Sequence, residues 1–204
     1  MEICYLKDEI EAGIDEAGRG CLSGRVYTAA VILPLEFPDD NYLNIIDSKK
    51  LNRKKREEMR RYIESVAIDY GVDYAEPDEI DKKNILHATI SSMHRSLDKL
   101  TVLPSNIIVD GTNFKLYTDR EKQAITHQLI KGGDAKYHNI AAASILAKCY
   151  HDDYVDELLN NDPELEKYGW RTNMCYGTKE HMEALKKYGI TKYHRKSFKP
   201  CCDM

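Results

Sequence analysis

Residues 140–159 read as one long helix whose first turns are Ala141-Ala142-Ala143-Ser144. Four small side chains in succession let a helix lie close against a sheet, so the rest of the chain has to supply strands. Residues 11–15 are strand-like and lead into a glycine-rich turn, while 26–33 are β-branched and apolar up to Pro34. Residues 66–75 alternate in character, 107–110 form a short apolar run ending at Gly111, and 124–130 close on Gly132-Gly133. Helix patterns lie between these runs. One begins at Asn52, a good N-cap, with Met59, Ile63 and Val66 on one stripe. Another follows Pro77, where Leu86, Ile90, Met93, Leu97 and Leu100 mark the buried face of a long helix. The helix over 140–159 stops at Asn160-Asn161-Asp162-Pro163, and a last one covers 179–187 before Gly189. Strands first, then helices and strands in turn, predict an α/β sandwich. At 204 residues this is one domain with a short appendage.

Acidic residues stand where several of these elements end. Asp15 and Glu16 sit where a strand runs into Gly18-Arg19-Gly20, and Asp110 closes an apolar strand. Asp152 follows Ala141 by eleven residues, close to three helical turns, so it projects toward the sheet. A buried carboxylate needs a partner, and gathered carboxylates repel one another unless hard divalent cations sit among them. Two such ions about 3.5–4 Å apart activate a water and stabilise the leaving oxygen of a phosphoryl displacement. Taken singly, each acid reads more readily as a turn residue than as a ligand. Asp15 and Glu16 also point to opposite faces of a regular strand, so a shared site calls for a bend or bulge there. Asp153, one step around the helix, faces solvent.

Charge and composition narrow the classes further. A net charge of −4 argues against a general nucleic-acid binder. Its distribution is uneven: between Glu183 and Asp203 no acid occurs, whereas Lys186, Lys187, Lys192, Arg195, Lys196 and Lys199 do. That segment either meets a phosphate backbone or is simply solvated. No apolar run approaches the ~20 residues of a membrane span, and the first residues lack a signal-peptide pattern, so a soluble, cytoplasmic chain is expected. Six cysteines without a Cys-x-x-Cys pair speak for reduced thiols rather than structural zinc. A glycosidase working with two carboxylates would want an aromatic sugar platform, and Trp170 is the single tryptophan.

Nine blocks then occur in one family's order. They open with Gly13-Ile14-Asp15-Glu16-Ala17-Gly18-Arg19-Gly20 followed by Leu22, Gly24 and Val26, then Asp47-Ser48-Lys49-Lys50-Leu51, then Ala75-Glu76-Pro77 through Ile80-Asp81. Asn84-Ile85-Leu86-His87-Ala88-Thr89, Val109-Asp110-Gly111 and Lys131-Gly132-Gly133-Asp134 follow. The run 140–148, Tyr176-Gly177-Thr178 with His181, and His194-Arg195-Lys196-Ser197-Phe198 complete the series. Across nearly its whole length the chain resembles ribonuclease HII. The resemblance implies a ribonuclease H-like fold: a mixed five-stranded sheet flanked by helices, with a small helical C-terminal part. It implies a catalytic domain over 1–184 and a basic segment over 185–204. It implies an endonuclease that cuts 5′ to a ribonucleotide in RNA–DNA hybrids and DNA–RNA–DNA duplexes, with Mg²⁺ or Mn²⁺, two ions during catalysis, working as a monomer. The implied catalytic and metal-binding acids are Asp15, Glu16, Asp110 and Asp152. Gly18, Arg19 and Gly20 would read the 2′-hydroxyl, Tyr176 would pack on the next sugar, and Lys49 would touch phosphate. The chain departs from the pattern at Cys21, Ser23, Arg25, Thr112, His151 and Cys175, and over Tyr137-His138-Asn139; none removes a carboxylate, and His151 reads as a neutral surface substitution. The alternative is a non-catalytic hybrid-binding module with the same fold.

Overall fold

The apolar run after the glycine-rich turn forms a strand buried along its entire length, because helices cover both of its faces. A computed structural model describes residues 1–204. Six strands, β1 Glu11–Ala17, β2 Val26–Ile32, β3 Asp69–Ala75, β4 Asn106–Asp110, β5 Tyr117–Thr118 and β6 Ala124–Ile130, form one sheet in the order β3-β2-β1-β4-β6-β5. β1 pairs antiparallel with β2 and parallel with β4, and β4 pairs parallel with β6. The sheet is mixed, as expected, with one strand more than expected. The sixth, β5, is two residues long, too short to leave a periodic trace.

Helices α1 Arg53–Val66, α2 Pro77–Lys83, α3 Ile85–Asp98, α4 His138–Asn161, α5 Trp170–Asn173 and α6 Lys179–Tyr188 complete the fold. On one face α3 packs Met93 and Leu97 against Ala12, Ile14, Ala30 and Ile32. On the other, α1 and α4 bring Met59, Ile63 and the alanine run against Ala29 and Val31. Buried Thr28 is satisfied by the Ser92 and Ser96 hydroxyls of α3, each at 2.7 Å. The long helix expected after Pro77 is two helices. Asn84 breaks it at φ +64°, and its side chain accepts the His87 N–H at 3.1 Å, which caps α3. Helix α1 runs to Val66, so β3 starts at Asp69 rather than 66.

The decisive contact is between α4 and β1. A Cβ at Gly13 would lie 2.3 Å from the Asn139 carbonyl carbon, so only glycine lets the helix sit this close. Residues 185–204 return to the loop after β1. The Gly24 N–H donates to Tyr193 O, Arg195 N–H to Leu22 O, and Lys196 and Ser197 N–H to the Asp81 carboxylate. No helix is long and apolar enough to cross a membrane. Replacing Gly13 by Ala should lower the urea midpoint at unchanged m, at a cost of about 1–3 kcal/mol or more from overpacking. An unchanged midpoint would show that α4 can move outward freely.

Candidate active site

The ladder between β1 and β4 ends at Ile14 and Val109, so Asp15, Glu16 and Asp110 emerge together at the carboxyl end of a parallel pair. β1 stays in regular register with β2 as far as Ala17. No bulge is needed. Asp15 lies toward α4 and Glu16 toward α3, and the cleft straddles the strand ends, so both reach it. This cleft of about 240 Å³ is lined by these three acids, the Gly18–Gly20 turn, Ser48, Lys49, Arg56, Ser144, Lys148 and Tyr176.

The acids crowd one another. Burial, then the like charges of Glu16 and Asp110, push the Asp15 carboxyl well above its usual range, against hydrogen bonds from Ser144 and the Glu16 N–H. Burial raises Glu16 as well, although Arg19 approaches it to 3.3 Å. Asp110 is fixed by the Gly133 N–H at 2.7 Å. The next residue, Asp134, is buried, and its carboxyl is raised by burial and by the field of Asp110. Lys49 Nζ lies 3.7 Å from Asp134; partial burial opposes its charge, but Asp134, Asp15 and Asp110 raise its pKa. Sequence reasoning passed over Asp134. The signal available was Gly132-Gly133, whose turn aims the following residue back at the end of β4.

Asp152 is not brought into this cluster. One oxygen accepts Lys148 Nζ at 2.7 Å and the other Arg56 Nη2 at 3.1 Å. Burial would raise its pKa, yet hydrogen bonds from His151 and Lys148 hold it down to about 2. Asp152 therefore stands behind two cations that line the cleft. Asp153, half exposed, pairs with Arg60. His151 is not at the surface: it is fully buried beneath Gly18, and burial lowers its pKa.

The Gly18-Arg19-Gly20 turn is held from inside. Arg195, expected with the other basic residues to meet phosphate or solvent, is fully buried and donates to the carbonyls of Gly18, Arg19, Gly24 and Arg25 at 2.8–3.1 Å. With the Gly18 and Arg19 carbonyls drawn inward, their trans peptides turn the Arg19 and Gly20 N–H groups the opposite way. A Cβ at Gly20 would meet only the Tyr176 ring, at 3.8 Å. Tyr176 is fixed through two buried histidines. Thr191 N–H donates to His194 Nδ1 at 2.9 Å, so His194 carries its proton on Nε2 and donates to His181 Nε2 at 3.1 Å. His181 then donates from Nδ1 to the Tyr176 carbonyl at 3.0 Å.

The sequence model of ribonuclease HII matches residues 12–201. Relatives called ribonuclease HII from Christiangramia forsetii and Parabacteroides distasonis are 53% and 50% identical, over 92% and 93% of this chain and 89% of each of theirs. The chain belongs to the ribonuclease HII family. It is accordingly a ribonuclease H, a hydrolase acting on the RNA of RNA–DNA hybrids. Among solved structures, ribonuclease H2 from Pyrococcus horikoshii shares the fold with a TM-score of 0.76 at 24% identity, covering 95% of both chains. The ribonuclease HII of Archaeoglobus fulgidus, solved with PCNA, gives 0.73 at 24% over 93% of this chain and 95% of that one. A Bst ribonuclease HIII in complex with Mn²⁺ gives 0.62 at 16% over 87% of this chain and 69% of that one.

In this ribonuclease HII, no three acids converge on a single coordination point as placed. The donor set is nevertheless all carboxylate, and the buried Asp15 carboxyl faces the like charges of Glu16 and Asp110, which suits a hard divalent cation. The buried histidine pair makes a pH prediction. Burial and His181 hold His194 down to about 4, whereas a solvated histidine titrates near ~6.5. Between these values the unfolded chain binds a proton that the fold refuses, so this stability is fully present above about 6.5 and lost toward 4. Urea titrations at pH 7 and 4.5 should show the parent losing more stability than His194→Gln, by on the order of 2 kcal/mol. Parallel losses would sink the neutral-pair assignment.

Proposed function

We propose that this ribonuclease HII cuts the phosphodiester on the 5′ side of a ribonucleotide, in RNA–DNA hybrids and in DNA duplexes with an embedded ribonucleotide. The products are 3′-hydroxyl and 5′-phosphate ends. The observation that carries this reading is the crowding of Asp15, Glu16 and Asp110 at one open end of the sheet, with the Asp15 carboxyl raised by burial and then by its acidic neighbours. These three would hold Mg²⁺ or Mn²⁺, with Asp134 as the fourth acid. When bound, a divalent pair supplies water activation and charge on the leaving oxygen. Asp152 acts at one remove, keeping Lys148 and Arg56 on the cleft wall, where with Lys49 they neutralise the incoming phosphate. Gly18, Arg19 and Gly20 offer peptide N–H groups to the ribose hydroxyl, and Tyr176 stacks on the adjoining sugar. The protein works as a monomer in the cytoplasm. A binding module without turnover is not favoured, since relatives and acids alike are those of a hydrolase.

The test is cleavage of a duplex carrying one ribonucleotide with Mg²⁺ or Mn²⁺. Asp110→Asn and Asp134→Asn should lower kcat by more than about 100-fold, beyond the ~10–100-fold typical of losing a ligand's supporting partner. Asp152→Asn should mainly raise KM. An Asp110→Asn enzyme cutting at the parental rate would overturn the metal site. A fall in kcat for Asp152→Asn as deep as for Asp110→Asn, at parental KM, would return the fourth position to Asp152.

A further inference from the structure

The catalytic cleft does not end at the acids. A second hollow of about 160 Å³ shares Glu16, Arg19 and Asp110 with it and continues over Thr89, Ile90, Thr112 and Asn113. A third, of about 350 Å³, shares Ile90 with the second and is lined by Lys83, His87, Ser91, His94 and Lys115. The three form one groove, from the strand ends along the first half of α3 to the segment before β5. From Leu86 to His94 the helix rises about 12 Å. That length accommodates about three phosphates of one strand at ~3.4 Å of axial rise each.

The chemistry changes along this groove. Carboxylates line only the catalytic end; the middle offers hydroxyls and an amide, and the far basin contains no acid. Lys83 Nζ contacts Glu79 at 3.0 Å, but Glu79 also takes Arg95 at 3.2 Å, so one carboxylate faces two cations. Lys115 is exposed and forms no ion pair. His94 Nε2 lies 3.1 Å from the Lys115 carbonyl, which can only accept, so the ring donates and fixes the backbone that carries Lys115. Asp98, whose field reaches His94, is engaged by the Tyr117 hydroxyl at 2.9 Å. In a chain of net charge −4, an acid-free basin joined to a phosphodiester-cutting cleft fits a polyanion.

We propose that this groove is a phosphate-binding track for one nucleic-acid strand on one side of the scissile bond, with Lys83 and Lys115 as its contacts. The inference rests on the endonuclease reading above. Its test compares parent and the double variant Lys83→Gln/Lys115→Gln on three duplexes with one ribonucleotide: full arms, or either arm trimmed to two base pairs. Parental cleavage of the full duplex checks the endonuclease reading separately; without it, reading and track fall together. On the full duplex the variant should keep kcat, raise KM about tenfold, and flatten the dependence of log kcat/KM on log salt by about 1.8, at ~0.9 per phosphate contact. Trimming one particular arm should make parent and variant equal, and Lys83→Arg/Lys115→Arg should restore the parental KM. The track is overturned if KM on the full duplex is unchanged, or if it rises equally whichever arm is trimmed. Both lysines are exposed, so an unchanged melting temperature checks that the variant is folded.

Discussion

The close seating of α4 on β1 is the contact on which the rest depends. Gly13 removes the side chain that would hold them apart, and the alanines at 141–143 do the same from the helix. Once the helix lies that low, its periodicity brings Ser144, Lys148 and the pair His151–Asp152 past the ends of the strands. Ser144 then reaches Asp15, Lys148 reaches the cleft, and His151 fills the space beneath Gly18. One helix thus touches the acid cluster, the basic wall of the cleft and the glycine-rich loop. A side chain at position 13 would disturb all three, although it lies outside the cleft.

Electrostatics then decides which acids are free. Asp152 is as buried as Asp15, yet their pKa values move in opposite directions. The difference lies in the neighbours: Asp152 is met by Lys148, Arg56 and His151, Asp15 by Glu16 and Asp110. A carboxylate already satisfied by two cations gains little from a third, whereas one facing like charges gains a great deal. This ordering, rather than distance along the helix, separates an acid left among like charges from one that holds cations in place.

Much of this was legible in the sequence. Strand ends followed by glycine located Asp15, Glu16 and Asp110, and the small-residue helix located the face opposite them. What failed was reading a direction as a destination. Helical phase correctly turned Asp152 inward but could not show that Lys148, four residues earlier, would meet it first. Asp134 escaped because it belongs to no periodic element; a 3-10 turn aims it. Arg195 escaped for another reason. Arginine is so seldom fully buried that charge counting left it between a phosphate backbone and solvent.

Arg195 shows why the C-terminal segment matters to a site whose lining, Tyr176 apart, comes from residues before it as far as Lys148. A glycine-rich turn that must present N–H groups has carbonyls pointing the other way, and buried carbonyls need donors. Guanidinium has five donors in a rigid plane and no acceptor, so it can satisfy several carbonyls without competing for the loop's N–H groups. A lysine has fewer donors and would cost more to desolvate there. The returning segment thus holds the loop in one orientation, the one that the proposed reading of a ribose calls for. Rigidity is what hydroxyl discrimination requires, because a loop free to turn over could offer a deoxyribose an alternative surface and erase the difference.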